Sequence, residues 1–387
     1  MRFDAIVVGG GPAGASSAYH LSRKGLKVLL IEKENLPRFK LCAGCISARA
    51  IRLLPDGYQR LILNTIRAGR LGFRGLEETR AEAEGAVAHI VDRRDFDHFL
   101  VSKALEAGAE LLRAEFLGFE REDEGYRVYT SWGTFEADLL VGADGFYSKV
   151  AKLLGYRKKK FFRSLELFTD GDMEDEVLIE MGYVGRGYLW VFPHGDGISL
   201  GVASTGREDL LRILKDYSEK KGIKFHHPRG WHIPFVERDE DLHAGRERIL
   251  LVGDAANMTD PLLGEGIYYA LWGGKLLAEA IVENPSEPVG AYRKRLRPLV
   301  QELVYAGRIA RLAYAFQSIS YRMGKDFALK SFYKLLTGEK SYRDLYWRGL
   351  PGFLKHLTKA WLGGIMKPHE GGNRGSASER GTFTGKR

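Results

Sequence analysis

Four sets of residues have types and spacings that could do chemistry. Gly9 to Gly14 read GGGPAG directly after the apolar run Ala5 to Val8, and Glu32 closes the next apolar run. This is the pattern of a strand, a tight turn, a helix, a strand and a carboxylate. Gly9 permits the turn, Gly11 lets the backbone approach a pyrophosphate, and Gly14 lets the helix pack closely on the sheet. The pyrophosphate would sit on free N–H groups at the positive end of the helix. Glu32 would accept hydrogen bonds from both ribose hydroxyls, which disfavours a 2′-phosphate. The second set is a pair of strand-like runs with acidic ends. Leu139 to Gly145 ends in GADG at Asp144, and Ile249 to Ala256 ends in GDAA at Asp254; Gly264-Glu265-Gly266-Ile267 then opens a helical pattern. Asp144 reads as a strand-end acid that caps a helix. The third set is Cys42 and Cys45, the only cysteines in the chain. The fourth is Tyr188-Leu189-Trp190-Val191-Phe192-Pro193, where a strand would carry Tyr188, Trp190 and Phe192 on one face. That face is either an ordinary core stripe or the wall of an apolar binding site.

Elements that must position these residues follow from the patterning. Residues 1 to 33 read as a βαβ unit and 34 to 50 as an irregular loop carrying the cysteines. Residues 51 to 91 read as a helix followed by strands. Phe96 to Glu106 is helical and Glu110 to Glu115 is a strand. Tyr126 to Thr130 and Thr134 to Leu140 flank Ser131-Trp132-Gly133 as a hairpin. From Arg163 to Thr205, apolar and polar residues alternate with glycine punctuation, which predicts an antiparallel sheet outside any doubly wound nucleotide fold. From Ala291 to about Met366 the pattern is helical, rich in aromatic and basic residues, with Pro298 and Pro351 as interruptions.

The three ordered motifs resemble the FAD-dependent oxidoreductases of the p-hydroxybenzoate hydroxylase type, over residues 1 to about 283. Asp92-Arg93-Arg94-Asp95-Phe96-Asp97 also fits that family's R-x-x-F-D helix start, with Arg93 as the matching arginine. Lys40-Leu41-Cys42-Ala43-Gly44-Cys45 and the Y-x-W-x-F-P string resemble the geranylgeranyl reductase family more closely. The resemblance implies FAD, with contacts at Gly9, Gly11, Ala13, Gly14, Glu32 and Lys33. It adds Cys42, Ala43, Cys45, Arg93 and Ala114, and then Asp254, Gly264, Gly266 and Ile267. Cys45 departs from the family's usual glycine, which bears on local backbone geometry if φ is positive there. The implied substrate wall is Tyr188, Trp190 and Phe192. The implied reaction saturates carbon–carbon double bonds of a prenyl chain, with Cys42 and Tyr188 as catalytic candidates.

The resemblance predicts an α/β (α+β overall) fold: a doubly wound, Rossmann-type FAD-binding domain, an antiparallel-sheet substrate domain and a helical C-terminal region. The expected divisions are 1–160 with 248–290, 161–247, 291–367, and a disordered tail at 368–387. For the cysteines, a metal pair lacks a second ligand pair, and a thioredoxin-like dithiol lacks its flanking elements. One cysteine beside the flavin and one that packs is the preferred reading, with a redox pair as the alternative. No metal is expected, and His226, His227, His232 and His243 do not match zinc spacing. Rival functions are a flavin monooxygenase or halogenase, and a redox-neutral or electron-carrying flavoprotein.

Composition bounds the setting. The net charge is +9, yet residues 293 to 367 hold sixteen Lys and Arg against four Asp and Glu, so the remainder is slightly acidic. A local basic, aromatic surface suits either an anionic membrane or a helical lid with a solvated face; no nucleic-acid partner is expected. No apolar run reaches bilayer length, and the N-terminal apolar residues are a strand rather than a signal peptide. A cytoplasmic protein, peripheral at most, is therefore expected. No second glycine fingerprint follows a strand, so an external reductant such as NAD(P)H or ferredoxin must visit the site.

Overall fold

The computed structural model describes residues 1–157, 160–324 and 327–362. The tail expected at 368–387 lies outside the described residues. The strand Arg2–Val8 is buried apolar along most of its length, as a strand covered on both faces should be. It pairs in parallel with Val28–Glu32 on one side and with Thr134–Gly142 on the other. Glu110–Arg113 and Ile249–Leu251 extend this parallel sheet outward. The register places Val8 beside Ile31 and Gly142, Gly142 beside Leu251, and Glu32 beside Arg113. All five carboxyl ends therefore open along one edge, where a doubly wound sheet binds its ligand.

The helix Pro12–Ser22 packs against the helix Ile267–Glu283, where Gly274 meets Ser16 so closely that an added Cβ would overlap its hydroxyl. The Ser16 hydroxyl then donates to the Leu271 carbonyl. Gly125–Thr130 and Thr134–Gly142 form the expected hairpin.

A second sheet, of seven strands, stands beside the first. Its middle is Phe161–Asp170, Gly197–Ser204, Gly187–His194 and Glu176–Met181, joined antiparallel. Two features correct the sequence reading. The sheet continues into Ala68–Phe73 and Glu77–Glu82, from the stretch assigned to the FAD-binding part, and Ala68–Phe73 pairs with Glu176–Met181 in parallel. Local alternation could not reveal this long-range pairing. The loop expected over 34–50 also ends early: Cys45–Ser47 is a strand in a three-stranded sheet with Ala88–Val91 and Ile62–Ile66, and Ala48–Ile51 is helical.

The C-terminal helices are not a separate body. Pro288–Ala315 runs without a break through Pro298, and Tyr342–Leu362 through Pro351, so neither proline interrupts its helix. Burial of Leu296, Leu299 and Leu303 holds both sides of Pro298 on the core, enough to offset a lost backbone hydrogen bond. Those residues join the nucleotide-side core, while Ala306, Ala310 and Tyr314 of the same helix join the core under the second sheet. The expected boundary at 290 thus falls at the start of a shared helix. Beyond it, Gln317 accepts from the Gly182 N–H and donates to the Val184 and Gly185 carbonyls at 2.7 Å. Tyr321 stacks on Phe73, and Tyr333 of the helix Phe327–Leu336 donates to the Ala81 carbonyl at 2.6 Å. These contacts fix the helices as a cover over the second sheet.

Candidate active site

A cavity of about 1200 Å³ runs from the carboxyl edge of the parallel sheet to the gap between the second sheet and its helical cover. A pocket for one drug-sized ligand is typically about 300–1,000 Å³, so this space suits a cofactor and a substrate together. At its nucleotide end, Gly9 has φ +106°, and a Cβ there would collide with the Ala143 carbonyl. A Cβ on Gly14 would collide with the carbonyl of Gly9, so the helix can sit this close to the turn only as glycine. Gly11 is the N-cap of Pro12–Ser22, and no side chain caps that helix. Gly266 opens Ile267–Glu283 in the same uncapped way. Two helix N-termini therefore present free N–H groups to one cavity, which Gly11, Ala13, Gly264, Gly266 and Ile267 line.

Glu32 is buried and held rigidly. One oxygen accepts from the Gly10 N–H at 2.9 Å and the other from the Glu34 N–H at 3.0 Å. Arg38, which the sequence reading missed, reaches Glu32 at 3.4 Å and Asp97 at 3.1 Å. It ties the strand end to the helix Arg93–Glu106, where Asp92 caps the Arg94 N–H and Arg93 chelates Asp97 at 2.9 and 3.0 Å. Burial opposes the charge on Arg93, but Asp97 and Cys42 beside it raise its pKa. Ala114 continues the edge strand, its N–H donating to the Glu32 carbonyl at 3.0 Å. Lys33 is exposed at the mouth, and Asp254 lines the wall opposite. Asp144, as expected, holds a helix start: it accepts from the Ser148 hydroxyl and from the Lys149 and Val150 N–H groups.

Cys42, Ala43 and Cys45 all face the cavity. The backbone question raised by Cys45 resolves one residue earlier. Gly44 carries the positive φ, +74°, and a Cβ there would overlap the Val91 carbonyl. Cys45 pairs with Ile90 as ordinary strand. Burial, with Glu265 and Cys42 nearby, pushes the Cys45 thiol up to about 12, so it stays protonated. The Cys42 sulfur accepts from the Gly44 N–H at 3.4 Å. Lys40 lies deep, its ammonium 3.4 Å from the Trp231 ring centroid, and burial lowers its pKa to about 8 despite Asp254.

Beyond the cysteines the walls turn apolar. Tyr188, Trp190 and Phe192 share the cavity face, while Leu189 and Val191 pack into a separate core behind the sheet. The alternation expected from sequence therefore holds. Ile179 and Val177 continue the wall, and Leu329, Phe332 and Leu336 close it from the helical cover. The Tyr188 hydroxyl donates to the Leu263 carbonyl at 2.5 Å, and burial raises its pKa further. Its proton is committed to the turn that bears Gly264 and Gly266. Asp260 anchors the same turn, accepting from the Leu262 and Leu263 N–H groups at 2.7 Å.

Two further groups escaped the sequence reading. Glu265 takes the Ser47 hydroxyl and the Arg49 guanidinium as partners, and Arg49 lies 4.2 Å over the Tyr268 ring. Glu166 is a buried carboxyl on the cavity wall. Its signal was present in the sequence. It shares strand parity with Phe162 and Ser164, opposite Leu165 and Leu167. Among the described residues, no group of three or more His, Cys, Asp and Glu could hold a metal. His232 bonds Tyr147 and His243 stacks on Tyr156.

A model of the FAD binding domain matches residues 2–304, so the chain belongs to that family of flavoproteins. Its glycine turns, paired helix N-termini and fixed Glu32 fit FAD. The chain is 32% identical over 329 residues to the geranylgeranyl diphosphate reductase of Rhodobacter capsulatus, covering 79% of this chain and 80% of that one. It is 29% identical to digeranylgeranylglycerophospholipid reductase 2 of Methanothermobacter thermautotrophicus, covering 73% and 78%. A geranylgeranyl bacteriochlorophyll reductase-like structure from Thermoplasma acidophilum shares the fold, with TM-score 0.73, 22% identity and coverage of 93% and 97%. Within the flavoproteins, the chain belongs to the geranylgeranyl reductase family, and it is an FAD-dependent oxidoreductase.

Proposed function

We propose that this protein reduces carbon–carbon double bonds in a geranylgeranyl or similar prenyl chain. The observation that carries the reading is the continuity of one cavity, nucleotide-binding at one end and walled by rigid aromatics at the other. A prenyl chain offers almost nothing to hydrogen-bond, and it contributes about 0.8 kcal/mol per buried CH₂, so an apolar wall alone can hold it. The relatives named as prenyl reductases support this substrate class. When bound and reduced, FAD supplies hydride. The chain's residues do the rest. Gly9, Gly11, Gly14 and Glu32 hold the nucleotide, Asp254 and the Gly264–Ile267 turn flank its far side, and the helical cover keeps water from the alkene. Cys42 acts at the flavin and Cys45 packs. Electrons arrive from an external donor, a reduced nicotinamide or a ferredoxin.

The assay is anaerobic. Chemically reduced protein is mixed with a geranylgeranyl compound, and product mass is followed for gains of two hydrogens. Oxygenated or halogenated products in air, with no anaerobic turnover, would move the protein to the monooxygenase class. Cys42→Ser should keep FAD and lose most turnover, while Cys45→Ser stays near wild type; equal losses would support a redox pair instead.

A second part of the reading concerns location. No helix among the described residues is long and apolar enough to cross a membrane. On the helix Tyr342–Leu362, Trp347 and Leu354 are exposed among Arg343, Arg348 and Lys355. That combination favours peripheral docking on anionic lipid, which would bring a lipid-borne prenyl chain to the cover. Co-sedimentation with anionic vesicles at low salt, weakened at high salt, is the expected result; no binding at low salt rejects it.

A further inference from the structure

Reduction of an isolated alkene needs a proton as well as a hydride, because an unactivated double bond accepts hydride poorly. Three of the carboxyls lining the cavity are held by a cation or a helix start. Glu32 is bound by Arg38, Glu265 by Arg49, and Asp144 by a helix start. Glu166 is different. It is 4% exposed, on the strand Phe161–Asp170, facing the cavity. One oxygen accepts from the Ser199 hydroxyl at 2.7 Å. Ser199 in turn accepts from the Trp190 indole N–H at 3.0 Å. The indole can only donate, so the serine hydrogen is directed at Glu166. The carboxyl is thus oriented by the same tryptophan that forms the substrate wall.

We propose that Glu166 is the proton donor of the reduction, a reading that rests on the prenyl-reductase function above. The alkene π pair forms a C–H bond with the Glu166 proton. FAD, held by Gly9, Gly11, Gly14 and Glu32, would supply in its reduced form the hydride that the neighbouring carbon needs, a two-electron oxidation of the cofactor. Glu166, left as carboxylate, is re-protonated from water at the cavity mouth, and the external nicotinamide or ferredoxin restores the flavin.

The surroundings suit this task. Lys40 and Arg93 approach from the nucleotide side, Tyr188 from Gly187–His194 and Ser199 from Gly197–Ser204. Arg229 stands opposite in register on Arg229–Pro234, but its guanidinium lies 4.5 Å over the Phe39 ring. Burial dominates and raises the Glu166 pKa to about 7, with Ser199, Arg93 and Lys40 opposing. The group is then an intact acid below neutral pH and close to balance near it, where a general acid works best.

The test uses Glu166→Gln and Ser199→Ala, each loaded with FAD, reduced anaerobically and mixed with a geranylgeranyl compound. Glu166→Gln should retain FAD and chemical reduction, while alkene-dependent flavin reoxidation falls about 10²–10⁴-fold. Wild-type reoxidation should slow as pH rises through about 7. Ser199→Ala should move that limb to higher pH, because losing a donor to the carboxylate disfavours the charged form. A readout independent of turnover is the infrared carboxylic-acid band of FAD-free protein. Its component that bleaches as pH rises through about 7 should be lost in Glu166→Gln, while the Asp260 component, which bleaches at about 6, should stay. Reoxidation of Glu166→Gln within roughly threefold of wild type overturns the proposal, as does a pH limb that Ser199→Ala leaves unmoved. If Glu166→Gln fails to hold FAD, the Ser199→Ala limb and the infrared titration decide in the same two directions. Wild-type protein that holds reduced FAD yet turns over no prenyl compound overturns the function itself, and this proposal with it.

Discussion

The two ends of the cavity are built on opposite principles. At the nucleotide end, recognition is done by backbone: glycine turns, bare helix N-termini and one immobilised carboxylate. At the substrate end it is done by side-chain shape: an aromatic face, a helical cover and a few buried polar groups held by single hydrogen bonds. Backbone recognition tolerates almost no substitution, since a Cβ in the wrong place meets a carbonyl that cannot move. A wall of side chains can repack, so changes there should alter which chains bind before they alter folding.

The sharpest break of that contrast is Gly14→Ala. The added Cβ overlaps the Gly9 carbonyl, so the protein should lose bound flavin and at least about 4 kcal/mol of stability. Absorbance of the purified protein and thermal unfolding would show it; a yellow protein of normal stability would end the argument. Glu32→Ala comes next. It removes the acceptor held by the Gly10 and Glu34 N–H groups and leaves Arg38 with Asp97 as its remaining carboxylate partner, so FAD affinity should fall by about 3 kcal/mol, roughly a hundredfold or more. Fluorescence titration of the FAD-free protein measures this.

On the substrate side, Gly201→Ala sharpens the comparison. A methyl there overlaps the Trp190 ring across the paired strands. Displacing the indole should cost about 1–3 kcal/mol, retain FAD and weaken long prenyl chains more than short ones. Binding of a chain-length series reads the outcome, and uniform loss across lengths would count against a tunnel along this face. The smallest effect concerns pH. Burial, with Glu265 nearby, raises the Asp260 pKa to about 6. Because the folded value lies above the usual 3.8, its stabilising contribution is complete below that value and is lost as pH rises through about 6. Asp260→Asn should therefore gain about 1–2 kcal/mol relative to wild type between pH 5 and pH 8, visible in denaturant unfolding at the two pH values.

Legibility followed the same division. The turn at Gly9 to Gly14, the acid at Glu32, the helix over Phe96 to Glu106 and the hairpin at 131–133 could all be read locally, because each is set by residues close in sequence; that this helix starts three residues earlier, under the Asp92 cap, came from the structure. So could the shared face of Tyr188, Trp190 and Phe192, since a strand fixes parity wherever it pairs. The departure from glycine at Cys45 left the backbone conformation there open, and only the structure shows that the positive φ belongs to Gly44 and that Cys45 is ordinary strand.

The amino-acid sequence by itself determined that a pyrophosphate-binding βαβ unit precedes an aromatic-faced sheet. Periodicity and glycine placement act over a few residues and need no partner to be recognised. Only the tertiary structure decided that Ala68–Glu82 completes the second sheet, that the helix through Pro298 serves both cores, and that Arg38 bridges Glu32 and Asp97. It also decided that Glu166 is buried against Ser199 under Trp190. Strand pairing, burial and the desolvation of a carboxyl depend on residues tens of positions away, and their energies exist only once the chain has closed around them.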